Sequence, residues 1–370
     1  MQPITDMEEN RKMNENHQAP VNIQGPVCPI PHQHTESVVI GHGSGGQMTQ
    51  DLIRYNFQSR IGNPYLSEGN DAARLVLENT DGQLAVSTDS HVVSPIFYPG
   101  GDIGRLSVCG TVNDVAMLGA VPSFLTAGFI LEEGFPIESL NKIIDSMAEA
   151  CEEAGVRIVA GDTKVVEKGK ADGIFINTAG FGLIPKGRQI GGQFAQPGDA
   201  VLISGTLGDH GIAVLQARGD LGFESGIKSD VAPLNHLISD LLDRIPDVHV
   251  LRDPTRGGLA TSLKEIACQS EVSIRLDEQA IPIKDDVRTA CEMLGFDPLY
   301  LANEGKVIII LPGEKADEAL EIIKKSPYGT NAIRIGEVFE EDPGMVLLET
   351  AFGTTRILDM LSGEILPRIC

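Results

Sequence analysis

Hydrophobic positions recur with two periods along the chain, and the two alternate. Order is expected to begin at SVVIGHGSGG (37–46). LAVSTD (84–89) reads as a strand that ends on an acid. In LSVCGTVNDVAMLGA (106–120) the apolar positions Val108, Val112 and Val115 have helical spacing. LNKIIDSMAEACEEAG (140–155) is a clearer amphipathic helix, with Ile143, Ile144, Met147 and Cys151 on one stripe and Gly155 as the stop. VRIVAGD (156–162) predicts another strand ending on an acid, and IFINTAGFG (174–182) a further strand. KGRQIGGQFAQPGD (186–199) is rich in glycine and polar residues and marks a domain boundary. The pattern then restarts with AVLISG (200–205) and a helix in TRGGLATSLKEIACQ (255–269). The strand KVIIILP (306–312), the helix KADEALEIIKK (315–325) and the strand AIRIGEVF (332–339) follow. This mixture predicts two domains of α/β or α+β type.

Residues 1–36 are polar, without period, and read as a flexible extension. His17, His32 and His34 lie in it, but scattered histidines in a loose arm do not make a metal site. The other end, after RILDM, is also read as loose. From Ser362 to Cys370 an extended chain reaches about 30 Å, at ~3.3 Å per residue.

Composition narrows the function. Hydrophobic residues make up 42% of the chain and mean hydropathy is near zero, enough for a sizeable core. No apolar run approaches the ~20 residues of a membrane span, and MQPITDMEENRKMNENHQAP lacks the apolar stretch of a signal peptide. A cytoplasmic protein is expected. A formal net charge of −23 argues against a nucleic-acid partner. If the ligand is an anion such as a nucleotide, the site needs local positive charge or a metal ion. None of the six cysteines forms a C-x-x-C pair, so a zinc ribbon or thioredoxin motif is unsupported. Cys109, Cys151 and Cys268 sit in apolar helical patterns and are expected in the core. Cys370 has no such pattern around it.

GHGSGGQM (41–48) has the spacing of two phosphate loops and satisfies neither. Gly41, Gly43 and Gly46 fit G-x-G-x-x-G, but IGNPYLSEGNDAARL follows where a dinucleotide fold needs a second strand and an acid. Gly41 and Gly46 fit a P-loop, but Gln47 and Met48 stand where Lys and Ser or Thr are required. A glycine loop ahead of a helix remains, suited to covering phosphates or serving as a plain turn.

Three acids recur in similar settings: Asp89 in STDS, Asp114 in VNDV and Asp162 in AGDT. Taken singly, each fits a cap or turn. Brought together, carboxylates repel by ~4 kcal/mol at ~4 Å and an effective dielectric of ~20, so a cluster needs protons or cations. Hard oxygen ligands beside a phosphate substrate point to Mg²⁺. Lys164, in GDTK, suits neutralising a phosphate or taking a proton. Asp253 and Arg256, in DPTRGG, form a plausible anion site, and Glu304, in LANEGKV, is a base or a turn acid.

These motifs, in order, carry a resemblance. GHGSGG, STDSHVVSP, FYPGGDIGRLSVCGTVNDVAMLGA, GFILEEG, GDTKVVEKG, INTAGFG, SGTLGDHG, LRDPTRGGLA, LANEGKV and PRIC resemble the HypE family of hydrogenase maturation factors, the carbamoyl dehydratases, over about Val38 to Cys370. Single motifs are shared with the wider PurM-like ATP-binding superfamily; the PRIC end is the specific one. The resemblance implies a two-domain PurM-like fold of α/β (α+β) class. Residues 37–185 would be the ATP-binding domain that forms the dimer, 186–355 the C-terminal α/β domain, and 356–370 a mobile tail.

The resemblance also implies that a carbamoyltransferase, HypF, loads a carbamoyl group onto the Cys370 thiol. ATP then drives dehydration of the thiocarboxamide to a thiocyanate, and the cyano group passes to iron on a HypC–HypD complex for nickel–iron hydrogenase. Carried over by position, the catalytic residues are Cys370, Lys164 and Glu304. ATP falls to His42, Gly43, Ser44, Gly45, Gly46, Asp89, Asp114, Asp162, Thr163 and Arg256, with Mg²⁺ on Asp89, Asp114 and Asp162. A homodimer with ATP near its interface is expected. Two rivals are a PurM-like synthetase acting on a free small molecule, and a non-catalytic scaffold for metallocentre assembly.

Overall fold

A computed structural model of the chain describes residues 46–52, 73–76, 81–219, 226–363, 366 and 368–370. The extension 1–36 and the loop residues His42, Gly43, Ser44 and Gly45 lie outside the described residues, as do the side chains of 162–165.

The N-terminal domain is built on one five-stranded sheet with the order β1–β2–β7–β5–β6. Its strands are β1 (Ala73–Val76), β2 (Gly82–His91), β5 (Val121–Glu132), β6 (Arg157–Val166) and β7 (Ile174–Pro185); β3 (Phe97–Tyr98) and β4 (Gly101–Asp102) form a separate small ribbon. After the short α1 (Gln47–Leu52), two long helices, α2 (Ile103–Ala116) and α3 (Ile137–Ala154), pack on the sheet and on each other. Asp102 caps α2, its carboxylate accepting from the Gly104 and Arg105 amides at 2.6 and 3.1 Å. α2 is buried along nearly its whole length rather than on one stripe. It lies between the sheet and the C-terminal domain, so even Ser107, Thr111 and Asn113 are inside.

Among the described residues, helices cover one face of this sheet. Leu125 and Ala127 lie in the core, while Phe124 and Ile130, on the alternate positions of β5, are 48% and 44% exposed.

The C-terminal domain has a seven-stranded sheet, β14–β13–β10–β12–β8–β11–β9. These strands are β8 (Asp199–Ile203), β9 (Val250–Arg252), β10 (Ser273–Asp277), β11 (Ile308–Pro312), β12 (Ile333–Phe339), β13 (Val346–Glu349) and β14 (Thr355–Leu358). Helices cover both faces. Val201 and Ile203 join one core cluster with Leu259 and Leu263 of α6 (Gly258–Ser270). Ala200 and Leu202 join another with Leu237 of α5 (Asn235–Leu242) and Ala319 of α8 (Ala316–Ile323). That two-sided burial is why KVIIILP reads as an unbroken apolar run. Helices α4 (Asp209–Arg218) and α7 (Asp285–Leu294) complete the domain.

Three expectations change. Asp89 and Asp162 lie inside β2 and β6 rather than at their ends, because pairing continues to His91 and Val166. Cys109 and Cys151 are buried but Cys268 is exposed, because it falls on the outer side of α6. Residues 356–358 belong to β14, paired with β13, so the tail begins later than 356. Its end is docked, with Ile369 buried at 5% exposure in the N-terminal domain's core.

Candidate active site

Alternation along β2 points Ser87, Asp89 and His91 toward α2. The Ser87 hydroxyl donates to Asp114 Oδ2 at 2.8 Å, tying the strand acid's neighbour to the helix acid. Asp89 Oδ2 lies 3.5 Å from His91 Nε2, and Asp89 Oδ1 lies 3.6 Å from an Arg256 nitrogen. His91 is buried; burial lowers its pKa, with Asp89 opposing, so the ring is neutral.

Arg256 comes from the tight turn that precedes α6. Its guanidinium is held charged by the Cys370 thiol first, and by Asp89 against burial. Burial in turn pushes the Cys370 thiol up to about 12, with Arg256 opposing. Docked, this thiol is therefore protonated at neutral pH.

Glu304 sits in the turn before β11 and is 5% exposed. Burial raises its pKa well above the carboxylate range, and Asp89, Asp253 and Asp230 raise it further. Its Oε1 has no hydrogen-bond partner among the described residues. The turn is shaped by Asp230, whose carboxylate accepts from the Glu304 and Gly305 amides at 3.1 and 3.3 Å and from Lys306 Nζ at 3.0 Å. Burial disfavours the Asp230 carboxylate, but the Lys306 ammonium and these donors outweigh it and hold it ionised. Gly305 is required, since a Cβ there would fall 1.8 Å from the Asp230 carbonyl oxygen.

Two asparagines lock these loops. Asn113, beside Asp114 on α2, donates to the carbonyls of Ala232 and Glu304 at 3.0 and 3.4 Å and accepts from the Leu234 amide at 2.8 Å. Asn303 accepts from Gly208 N and donates to the carbonyls of Pro254 and Leu301. The loops carrying Arg256, Glu304 and the start of α4 are thus fixed together.

Cys370, Arg256, Asp89 and Glu304 are brought together, with Asp114 linked through Ser87. Gly46 instead closes on Leu361, whose carbonyl accepts from the Gln47 amide. Asp162, Thr163 and Lys164 are in register with Gly128, Phe129 and Ile130. Three strand steps of ~4.8 Å separate β6 from β2, so Asp162 lies about 14 Å from Asp89 along the sheet. Among the described residues no group of three metal-ligating side chains is assembled, and no helix is long and apolar enough to cross a membrane. His91, Asn113, Asp230 and Asn303 escaped the sequence reading. VND and ANEG held both asparagines beside the acids, but what they bond is decided by loops far away in sequence.

The family models for the N- and C-terminal domains of AIR synthase related proteins match residues 69–184 and 196–348. The carbamoyl dehydratase HypE of Cupriavidus necator is 53% identical over 331 residues, spanning 90% of this chain and 94% of that protein. The chain belongs to the HypE family of carbamoyl dehydratases. The crystal structure of a HypE–HypF complex is 52% identical, with TM-score 0.79, and covers 84% of this chain and 99% of that one. HypE crystallised in complex with ATP is 50% identical, with TM-score 0.76, covering 90% and 100%. The PurM-like two-domain fold expected from the motifs is the fold of the HypE family.

Proposed function

We propose that the chain dehydrates a carbamoyl group carried on Cys370, using ATP, to give a thiocyanate for the iron of nickel–iron hydrogenase. The observation that carries this reading is the thiol of Cys370 seated against Arg256, Asp89 and Glu304. A carrier thiol belongs beside phosphate- and proton-handling groups only if the chemistry happens on the tail.

The amide oxygen bonds to the γ-phosphorus as ADP leaves. Two protons leave the nitrogen, the carbon–oxygen bond breaks, phosphate departs, and carbon and nitrogen become triply bonded. Arg256 is the cation that faces this developing negative charge. Glu304 and Lys164 are the proposed proton acceptors. Glu304 rests protonated because Asp89 and Asp253 face it in a buried site, so it accepts an amide proton only after releasing its own. The hard carboxylate donors Asp89 and Asp114, the latter fixed by the Ser87 hydroxyl, would hold a divalent cation. Mg²⁺ bound there would neutralise triphosphate and carboxylates alike. Asp162 is its proposed third ligand, about 14 Å away within one chain, so that role calls for rearrangement or a second copy.

A homodimer is proposed through the face of the N-terminal sheet opposite α2 and α3. Its exposed Val121, Phe124, Ile130 and Leu183 make an apolar surface that no helix among the described residues covers. Phe124→Asp is expected to convert dimer to monomer in analytical ultracentrifugation. HypF is the proposed loading partner and HypC–HypD the proposed acceptor.

The test is the intact mass of the C-terminal peptide after loading with HypF and carbamoyl phosphate, before and after adding Mg-ATP. Loss of one water from an adduct on Cys370 is the expected result. An adduct that Mg-ATP leaves unchanged, or cyano product from Cys370→Ala, refutes the reading.

A further inference from the structure

The docked end of the tail is held by the buried Ile369 side chain, by Arg368 Nε, which donates to the Val92 carbonyl at 3.3 Å, and by bonds to its main chain. Arg218, the last residue of α4, donates from Nε to the Ser94 carbonyl at 2.6 Å and from a terminal nitrogen to the Arg368 carbonyl at 2.5 Å. The Ser94 amide donates to the same Arg368 carbonyl at 3.1 Å, and the Val92 amide to a terminal carboxylate oxygen of Cys370 at 3.2 Å. The carbonyl between them, on Ile369, lies 2.9 Å from Nε2 of His210, in the first turn of α4.

His210 has a defined tautomer. A carbonyl oxygen only accepts, so Nε2 carries the hydrogen. Nδ1 lies 2.8 Å from the Ser229 hydroxyl, which itself accepts from the Val231 amide at 3.1 Å and so has its hydrogen for Nδ1. The imidazole is fully buried and stacks edge-on against Tyr98, with ring centroids 5.4 Å apart. Two consecutive tail carbonyls and the terminal carboxylate are thus bonded, both carbonyls by side chains of a single helix.

We infer that His210 and Arg218 are positioning residues that latch the tail through its backbone and set the register of the Cys370 thiol against Arg256 and Glu304. The latch touches no atom that changes in the reaction. It holds free, carbamoylated and cyanated tails alike, and a shift of one residue would exchange every carbonyl it binds. The use of the latch rests on the carrier role proposed above; its existence does not.

The experiment uses the full chain without nucleotide, at one pH. Brief iodoacetamide pulses are read cysteine by cysteine by peptide mass spectrometry. The buried Cys109 and Cys291 report global opening. Arg218→Met keeps the unbranched stem but removes both donors, and His210→Ala removes the third. Each is expected to raise Cys370 labelling about tenfold with Cys109 and Cys291 unchanged, the size expected for one charge-assisted or buried hydrogen bond. His210→Gln, with an amide donor near the Nε2 position, is expected to restore most of the protection. Unchanged Cys370 labelling overturns the latch, as does labelling that rises only in step with Cys109 and Cys291. Normal protection of Cys370 in a protein that never dehydrates its adduct would fail the dehydratase reading and leave the latch standing.

Discussion

Docking of the tail should weaken as pH rises, because the docked site disfavours the thiolate. Burial pushes the Cys370 thiol from its ordinary 9.0 to about 12. A group whose pKa is raised in the docked state supports docking fully below the free value, and that support is lost as pH rises through the interval between them. Between pH 8 and pH 10 the free thiol goes from about one-tenth to about ten-elevenths ionised, while the docked thiol stays protonated. The docking constant should therefore fall about tenfold, ~1.4 kcal/mol. Hydrogen exchange of the Val92 and Ser94 amides, which donate to the tail, reads this constant. Base catalysis of exchange itself cancels when each rate is divided by that of Cys370→Ser, whose hydroxyl does not titrate in this range. The expected result is a relative protection that drops about tenfold across the interval. A ratio flat from pH 8 to pH 10 would refute the assignment of the raised pKa to the docked thiol. The same reasoning places loading by a carbamoyltransferase on the undocked tail, where the thiolate is accessible.

Glu304→Gln keeps the neutral form that Glu304 already adopts. Tail protection should be unchanged, while single-turnover dehydration falls by about 10²–10⁴, the usual loss on removing a proton-transfer group. Asn113→Ala strips partners from Leu234 N and from the carbonyls of Ala232 and Glu304. A cost of about 3 kcal/mol in urea unfolding is expected, with slower dehydration because the Glu304 turn loosens. His249 lies 2.8 Å from Asp199 Oδ2, and that hydrogen bond raises its pKa above 6.5. Its contribution to stability is complete below pH 6.5 and lost as pH rises through the raised value. Thermal unfolding of the native chain should thus lose an increment over that window that His249→Gln lacks.

The local pattern of this sequence is sufficient for the elements and for the chemistry they carry. IVAG and AVLISG can be little but strands, KADEALEIIKK little but a helix, because side-chain period and β-branching act within a few residues. Acids, arginine and terminal cysteine were legible as residue types, in motifs whose order carried the family.

Where those groups meet was not legible. Asp89 reads as a strand-end acid until β2 is seen to run on to His91, because pairing with β7 decides where a strand stops. Cys268 shares a helical apolar pattern with Leu263 and Ile266 yet faces outward, since helix rotation is fixed by the sheet beneath. LPRIC looks loose because it forms no helical or strand period, lying just after SGE and broken by Pro367. Ile369 is nonetheless in the core, through contacts with residues more than 150 positions away, among them Val214 and Val93. Asp230, Asn113 and Asn303 act only by bonding distant backbone. Sequence determined the groups available for the reaction; long-range packing decided their protonation states and the one position at which a terminal thiol faces them.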